Sequence, residues 1–160
     1  MATKTLSDKE RIETLGALGE EIVGKVLEEA GFNIKQSDDK YDSEKDFLIE
    51  GLKVEVKTVV PWFKENALTI DAKQYPKCFN ADYVIFVCVP SKGLSAYSND
   101  KYDGNIYVVK PKEVKWTPKT TRGGLPKCLV RINQPGVLLC HRIEDRKILN
   151  KLKDLTTSIS

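Results

Sequence analysis

Histidine is nearly absent from this chain, with His141 its single representative, and the four cysteines (Cys78, Cys88, Cys128, Cys140) include no C-x-x-C pair. Zinc centres need four thiolate or imidazole ligands at recognisable spacing, and no such pattern is present. Long apolar runs are missing too. The longest, Val84 to Pro90, is far too short to span a bilayer, so no membrane association is expected. Met1-Ala2-Thr3-Lys4 leads into charged sequence with no apolar core of a leader, so no secretory signal and a cytoplasmic location are expected. Spacing does not exclude disulfides, but reduced, buried and inert thiols are the expectation for such a location. Internal repeats and low-complexity tracts are also lacking.

What is present fits an ordinary globular domain. The 160 residues are 41% hydrophobic and 31% charged, and the net charge is +3. Length predicts a single domain over 1–160, with a core at about 7–90 and a C-terminal β extension and helix at about 105–155. The weak positive charge permits a nucleic-acid partner without requiring one.

Ser7-Asp8-Lys9-Glu10 is a capping box. It opens a predicted helix over about 8–30, with apolar residues at helical spacing from Ile12 to Ala30 and Gly31 in the C-terminal position. Strands are predicted at Phe32–Lys35, Asp46–Ile49, Leu52–Val60 and Ala67–Ile70. A short helix capped by Asp71 follows, started or bent by Pro76. Tyr83–Val89 reads as a strand buried on both faces. Further strands are predicted at 105–109, 128–133 and 137–140, with an exposed loop over 117–126 and a charged helix over 142–155. The order α-β-β-β-α-β, then extra strands and a helix, implies an α/β fold: a mixed central sheet flanked by helices.

The chemistry concentrates on the segment from Asp46 to Thr58. A two-residue turn at Glu50-Gly51 pairs Ile49 with Leu52, Leu48 with Lys53, Phe47 with Val54 and Asp46 with Glu55. Strand alternation then places Asp46, Leu48, Lys53, Glu55 and Lys57 on one face, and Phe47, Ile49, Leu52, Val54 and Val56 on the other, apolar face. Opposed residues have Cβ atoms about 4.5–5.5 Å apart, and like charges at that distance destabilise a sheet unless a cation bridges them. Two carboxylates with a backbone carbonyl, here Val56, and waters suit Mg²⁺. Lys57 adds a fixed cation that can orient a water or neutralise charge on a phosphate. Glu-x-Lys alone, however, is what many half-exposed strands show.

Two further residues bear on this site. Glu20 flanks the helical stripe, about 100° from Gly19. It either points along the seam towards the hairpin or is solvated like Glu21. Gly16, Gly19 and Gly24 cost helix stability, which suggests close approach of that helix to the sheet or to substrate. Gln74 is either a ligand for a phosphate or a bound water, or an ordinary exposed glutamine.

The combination Gly-Ala-Leu-Gly-Glu-Glu (16–21), Leu27 to Phe32, Asp46 and Val54-Glu55-Val56-Lys57-Thr58 resembles the PD-(D/E)XK nuclease superfamily. The likeness is nearest to small members similar to archaeal Holliday-junction resolvases, and it spans about Leu15 to Val89, roughly half of the chain. It implies a restriction-endonuclease-like αβββαβ core. It also implies Asp46, Glu55 and Lys57 as catalytic residues with Glu20 and Gln74 beside them, and a metal site of Asp46, Glu55, Val56 and Glu20. Lys45 stands where the motif's variable proline would be.

The activity so implied is phosphodiester hydrolysis in DNA by a Mg²⁺-activated water, with Mn²⁺ substituting, in recombination, repair, restriction or homing. DNA-contact candidates are Lys53, Lys64, Lys73, Lys77, Lys119 and Arg122, with Trp62 as a stacking or wedging side chain or as part of a small satellite core. Arg122-Gly123-Gly124 either approaches a phosphate backbone or forms a plain hairpin tip. The final helix packs on the domain or forms a dimer contact, and a homodimer is expected because cutting two strands usually needs two sites. The alternatives are a non-catalytic nucleic-acid-binding or assembly protein that keeps the fold, and an RNA-directed toxin nuclease.

Overall fold

In a computed structural model, the structure describes residues 7–36, 47–62, 66–89 and 103–155. Asp46 and Lys64 lie outside them, as do residues 37–45. The elements in chain order are α1 (Asp8–Glu29), β1 (Ile34–Gln36), β2 (Phe47–Ile49), β3 (Leu52–Val59), β4 (Ala67–Asp71), a 3-10 turn (Ala72–Gln74), α2 (Tyr75–Asn80) and β5 (Tyr83–Cys88). Then follow β6 (Asn105–Val109), β7 (Trp116–Thr120), β8 (Pro126–Arg131), β9 (Val137–Arg142) and α3 (Arg146–Leu155). The chain is a mixed α/β fold.

Six strands form the central sheet in the order β1-β2-β3-β5-β6-β9, in which only β3 and β5 run parallel. A second, antiparallel sheet has the order β4-β8-β7. Helices α1 and α3 cover one face of the central sheet. There Ile22 and Val23 of α1 and Leu149 and Leu152 of α3 pack with Phe47, Ile49, Val54, Val56, Ile85, Val87 and Ile106. The other face carries Val84, Phe86, Cys88, Tyr107 and Val109, which pack on Leu68, Ile70 and Val130 of the second sheet and Cys78 of α2. Strand β5 is thus enclosed on both sides, as its unbroken apolar run requires. Helices flank one face; the other is covered mainly by a second sheet.

Local chemistry explains the ends of the elements. Ser7 Oγ accepts the Glu10 backbone N–H at 3.2 Å and donates to the Glu10 carboxylate at 3.0 Å, which closes the capping box. Glu50 and Gly51 both have positive φ, 52° and 84°, which is the backbone a two-residue hairpin with matching strand twist demands. Pairing of Phe47 with Val54, Leu48 with Lys53 and Ile49 with Leu52 is the register the turn predicts. Leu52, placed on the apolar face, is 43% exposed because it sits at the turn.

Three sequence-based expectations change. Thr117–Thr120, expected in the loop 117–126, belong to strand β7, and only Thr121–Leu125 remains as the turn to β8. Pro118 removes a ladder donor, but β7 is the sheet's edge strand, where that loss is tolerated. Asp71 makes no capping bond; its carboxylate instead pairs with Lys127 on the adjacent strand. The final helix starts at Arg146, because β9 continues to Arg142 opposite Asn105. Asp145 is its cap, accepting the Lys147 N–H on its side chain at 2.9 Å.

Candidate active site

Strand β3 supplies the chemistry-bearing side chains. Its even residues Val54 and Val56 face the α1/α3 core. Alternation turns Glu55 and Lys57 to the opposite face, beside Val84 and Phe86 of the parallel neighbour β5. Glu55 is only 1% exposed, an unusual place for a carboxylate. Its Oε1 lies 3.9 Å from Lys77 Nζ on α2, so a cation faces the buried charge at ion-pair range but beyond hydrogen-bond length. Lys57 Nζ donates to Gln74 Oε1 at 3.1 Å. Gln74 ends the 3-10 turn that follows β4, so this bond ties the second sheet's chain to β3. Glu55, Lys57, Gln74 and Lys77 therefore form one polar group at the edge of an otherwise apolar layer.

The backbone of β3 adds a directional feature. Lys53 C=O accepts the Asp82 N–H and Val59 C=O accepts the Val89 N–H, both at 2.9 Å on the β5 side. In a parallel pair the bonding residues alternate, so the carbonyl of Val56 points away from β5. Beyond Val54 no described strand pairs on that side. The Val56 carbonyl thus points to the β2 side of β3, next to Glu55, where no described residue pairs with it. These two oxygen donors, one a buried carboxylate and one a backbone carbonyl, are hard ligands that fit Mg²⁺. No three His, Cys, Asp or Glu side chains converge among the described residues; the expected set includes Asp46, which is outside them.

Helix α1 approaches β3 through Gly19. A Cβ there would fall 1.9 Å from Thr58 Oγ1, so only glycine allows this packing. Glu20 is the next residue and half-buried, on the helix turn that meets β3 at Thr58. Gly16 and Gly24 make no such contact: nothing lies within 4 Å of a Cβ at Gly16, and at Gly24 only the Phe47 ring does, at 3.8 Å. Close approach of the helix to the sheet belongs, among these three, to Gly19.

The remaining candidates scatter. Lys53 is half-buried, and its backbone N–H donates to Asp82 Oδ2 at 2.8 Å. Lys73 and Arg122 are exposed. Trp62 is half-buried, bridges to Ala67 and carries Lys119 Nζ 5.8 Å above its ring, so that face of the indole is occupied by a cation. Lys77, also a DNA-contact candidate, faces Glu55. That pairing went unseen because Lys77 and Glu55 are brought together only by the docking of α2. On α3, Leu149 and Leu152 are buried in the domain's own core and Ile148 packs against it. Cys78 and Cys88 are buried, whereas Cys140 is exposed, contrary to the expectation for all four. Burial, and then Asp103, push the Cys88 thiol far up; burial alone raises Cys128. No described helix is long and apolar enough to cross a membrane.

A scan against family models gives no match for this chain, and a search of curated proteins gives none either.

Proposed function

We propose that the chain is a metal-dependent endonuclease that hydrolyses phosphodiester bonds in DNA, with the hairpin β2–β3 as its catalytic element. One observation carries this reading. A carboxylate buried to 1% exposure, an outward backbone carbonyl and an anchored lysine succeed one another on Glu55, Val56 and Lys57. Burying a carboxylate costs several kcal/mol unless a cation compensates it (roughly, from ion-burial energetics). A merely structural role would be served as well by an apolar side chain of that volume.

Glu55, Val56 and, in the predicted register, Asp46 would hold the ion, with Glu20 at the flank of the site. Mg²⁺ bound there supplies a Lewis acid and lowers the pKa of a coordinated water. Lys57 holds its ammonium beside the scissile phosphate and neutralises charge that grows as the in-line displacement proceeds. Gln74 fixes that ammonium by accepting one of its protons. Lys77 faces the Glu55 carboxylate at ion-pair range, a compensating charge that a bound ion would supply in its place. A homodimer, with one site per strand, completes the proposal for duplex or branched substrates.

The test is cleavage of supercoiled plasmid, single strands, flaps and four-way junctions in Mg²⁺, Mn²⁺ or EDTA. Metal-dependent cutting that falls about 10²–10³-fold in Lys57→Ala supports the reading, a loss typical of removing one transition-state charge partner. Absence of cutting on every substrate, with DNA binding intact in Glu55→Gln, favours the non-catalytic nucleic-acid-binding alternative. Cutting confined to RNA favours the toxin alternative.

A further inference from the structure

Charge is distributed very unevenly along this chain. Residues 114–143 hold six basic side chains (Lys115, Lys119, Arg122, Lys127, Arg131 and Arg142) and no acidic one. That segment therefore carries +6 of a total of +3. The other 130 residues, with the remaining 20 basic and all 23 acidic side chains, carry −3. The modest net charge conceals a basic segment on an acidic body.

The fold gathers part of this charge on one surface. Trp116, Cys128, Val130, Leu68 and Ile70 of the second sheet face the central sheet. Alternation turns Lys119, Lys127 and Asp71 away from the central sheet, where pairing aligns them in a single row across β7, β8 and β4; Lys119 and Asp71 are exposed and Lys127 half-buried, while Leu129 and Thr69 further along that face are buried. Lys119 stands directly opposite Lys127. Like charges in that relation destabilise a sheet unless an anion lies over them. Asp71 bonds Lys127 from the far side, so the row keeps a net positive charge. Arg122 projects from the adjoining turn, which is held by Thr121 N–H to Leu125 C=O and Gly124 N–H to Thr121 C=O, both 2.9 Å. Past Asp71 the chain passes exposed Lys73 and reaches Gln74, the residue that bonds Lys57.

We infer that the tip end of the second sheet, through Lys119, Lys127 and Arg122, binds the phosphate backbone of a DNA duplex and leads it to Glu55 and Lys57. The surface follows from charge placement. The choice of DNA as the polyanion rests on the function proposed above. The contacts are to phosphate, so they fix position without reading sequence. Trp62 serves as a platform for the Lys119 head and does not wedge between bases.

Binding of a fluorescein-labelled 20-bp DNA duplex to the full chain, measured by anisotropy in EDTA, tests this without any cleavage. Lys119→Glu/Arg122→Glu is expected to bind about tenfold or more weakly at 50 mM salt, because two phosphate contacts are lost. Lys147→Glu/Lys151→Glu on α3, at the opposite side of the central sheet, makes the same change of net charge and should stay within about twofold. The neutral variant Lys119→Ala/Arg122→Ala, which spares the fold, should lower the slope of log affinity against log salt by about 2. The surface is overturned if both hairpin variants bind as the parent does, or if the α3 variant loses as much as they do. Tighter binding of an RNA duplex than of DNA overturns the choice of DNA. Because metal is absent, failure here leaves the metal-dependent cleavage result, and so the catalytic reading, standing.

Discussion

Replacing Gly19 with alanine sets two effects of opposite sign against each other. In an open helix the change stabilises by about 0.8–1 kcal/mol, since glycine is the costlier helix residue. At Gly19 the new Cβ would lie 1.9 Å from Thr58 Oγ1 and 3.1 Å from Thr58 Cβ. Thr58 is β-branched and held in a strand, so it cannot yield as the end of a long side chain would. Overpacking of this kind costs about 1–3 kcal/mol. The net expectation is a destabilisation of up to about 2 kcal/mol, or several degrees in Tm for a chain of this size. Gly16→Ala and Gly24→Ala face open space or ordinary contact and should stabilise by about 0.5–1 kcal/mol each. Urea titration followed by circular dichroism measures all three. In a Thr58→Ala background Oγ1 is gone, and the Gly19→Ala penalty should shrink by about 1 kcal/mol or more, a coupling expected of residues in contact. Equal stabilisation by Gly19→Ala and Gly16→Ala, or no change in the Thr58→Ala background, would refute the docking of α1 on β3 and with it the placement of Glu20.

Gln74→Ala should lower the cleavage rate about tenfold by releasing the Lys57 ammonium, while unfolding free energy changes by about 1 kcal/mol, the worth of one hydrogen bond. Single-turnover kinetics beside a urea titration separates the two effects. Lys77→Ala should destabilise the metal-free protein by about 1–3 kcal/mol, since it withdraws a cation facing a buried carboxylate, and added Mg²⁺ should recover part of the lost Tm. Among the thiols, Cys140 should react with a disulfide reagent in the folded protein, slowed by the burial that raises its thiol pKa and by its bond to Ile106 C=O, and Cys78 and Cys88 only on unfolding. The unfolded Cys88 thiol ionises above about pH 8.5, whereas burial keeps the folded one protonated. Stability should therefore hold below that pH and fall as pH rises past it, less steeply in Cys88→Ala.

Where local chemistry decides, the sequence is readable. Glu50-Gly51 sets a hairpin whose register also has to bury Phe47, Ile49, Val54 and Val56, and two constraints that agree leave one solution. The capping box at Ser7 is equally local. Long-range pairing is where reading fails. Asp71 has the form of a cap, yet a lysine 56 positions later takes its carboxylate. Trp116–Thr120 is polar and contains Pro118, so nothing in it announces a strand until β8 supplies the partner. Asp145 caps α3, but β9 runs on to Arg142, and only its pairing with Asn105 sets how late the helix starts. At the site, Glu55 and Lys57 are visible from alternation alone. Their partners Lys77 and Gln74 come from a turn and helix whose docking no local rule predicts.

That Glu55 and the Val56 carbonyl are metal ligands is tested most directly by an anomalous difference map from crystals soaked in Mn²⁺. A peak within about 2.0–2.4 Å of a Glu55 carboxylate oxygen and of the Val56 carbonyl, the usual range for hard cations on oxygen, with Lys77 displaced from Glu55, is the predicted result. A Glu55 carboxylate still facing Lys77, with no peak beside it at saturating Mn²⁺, would contradict it.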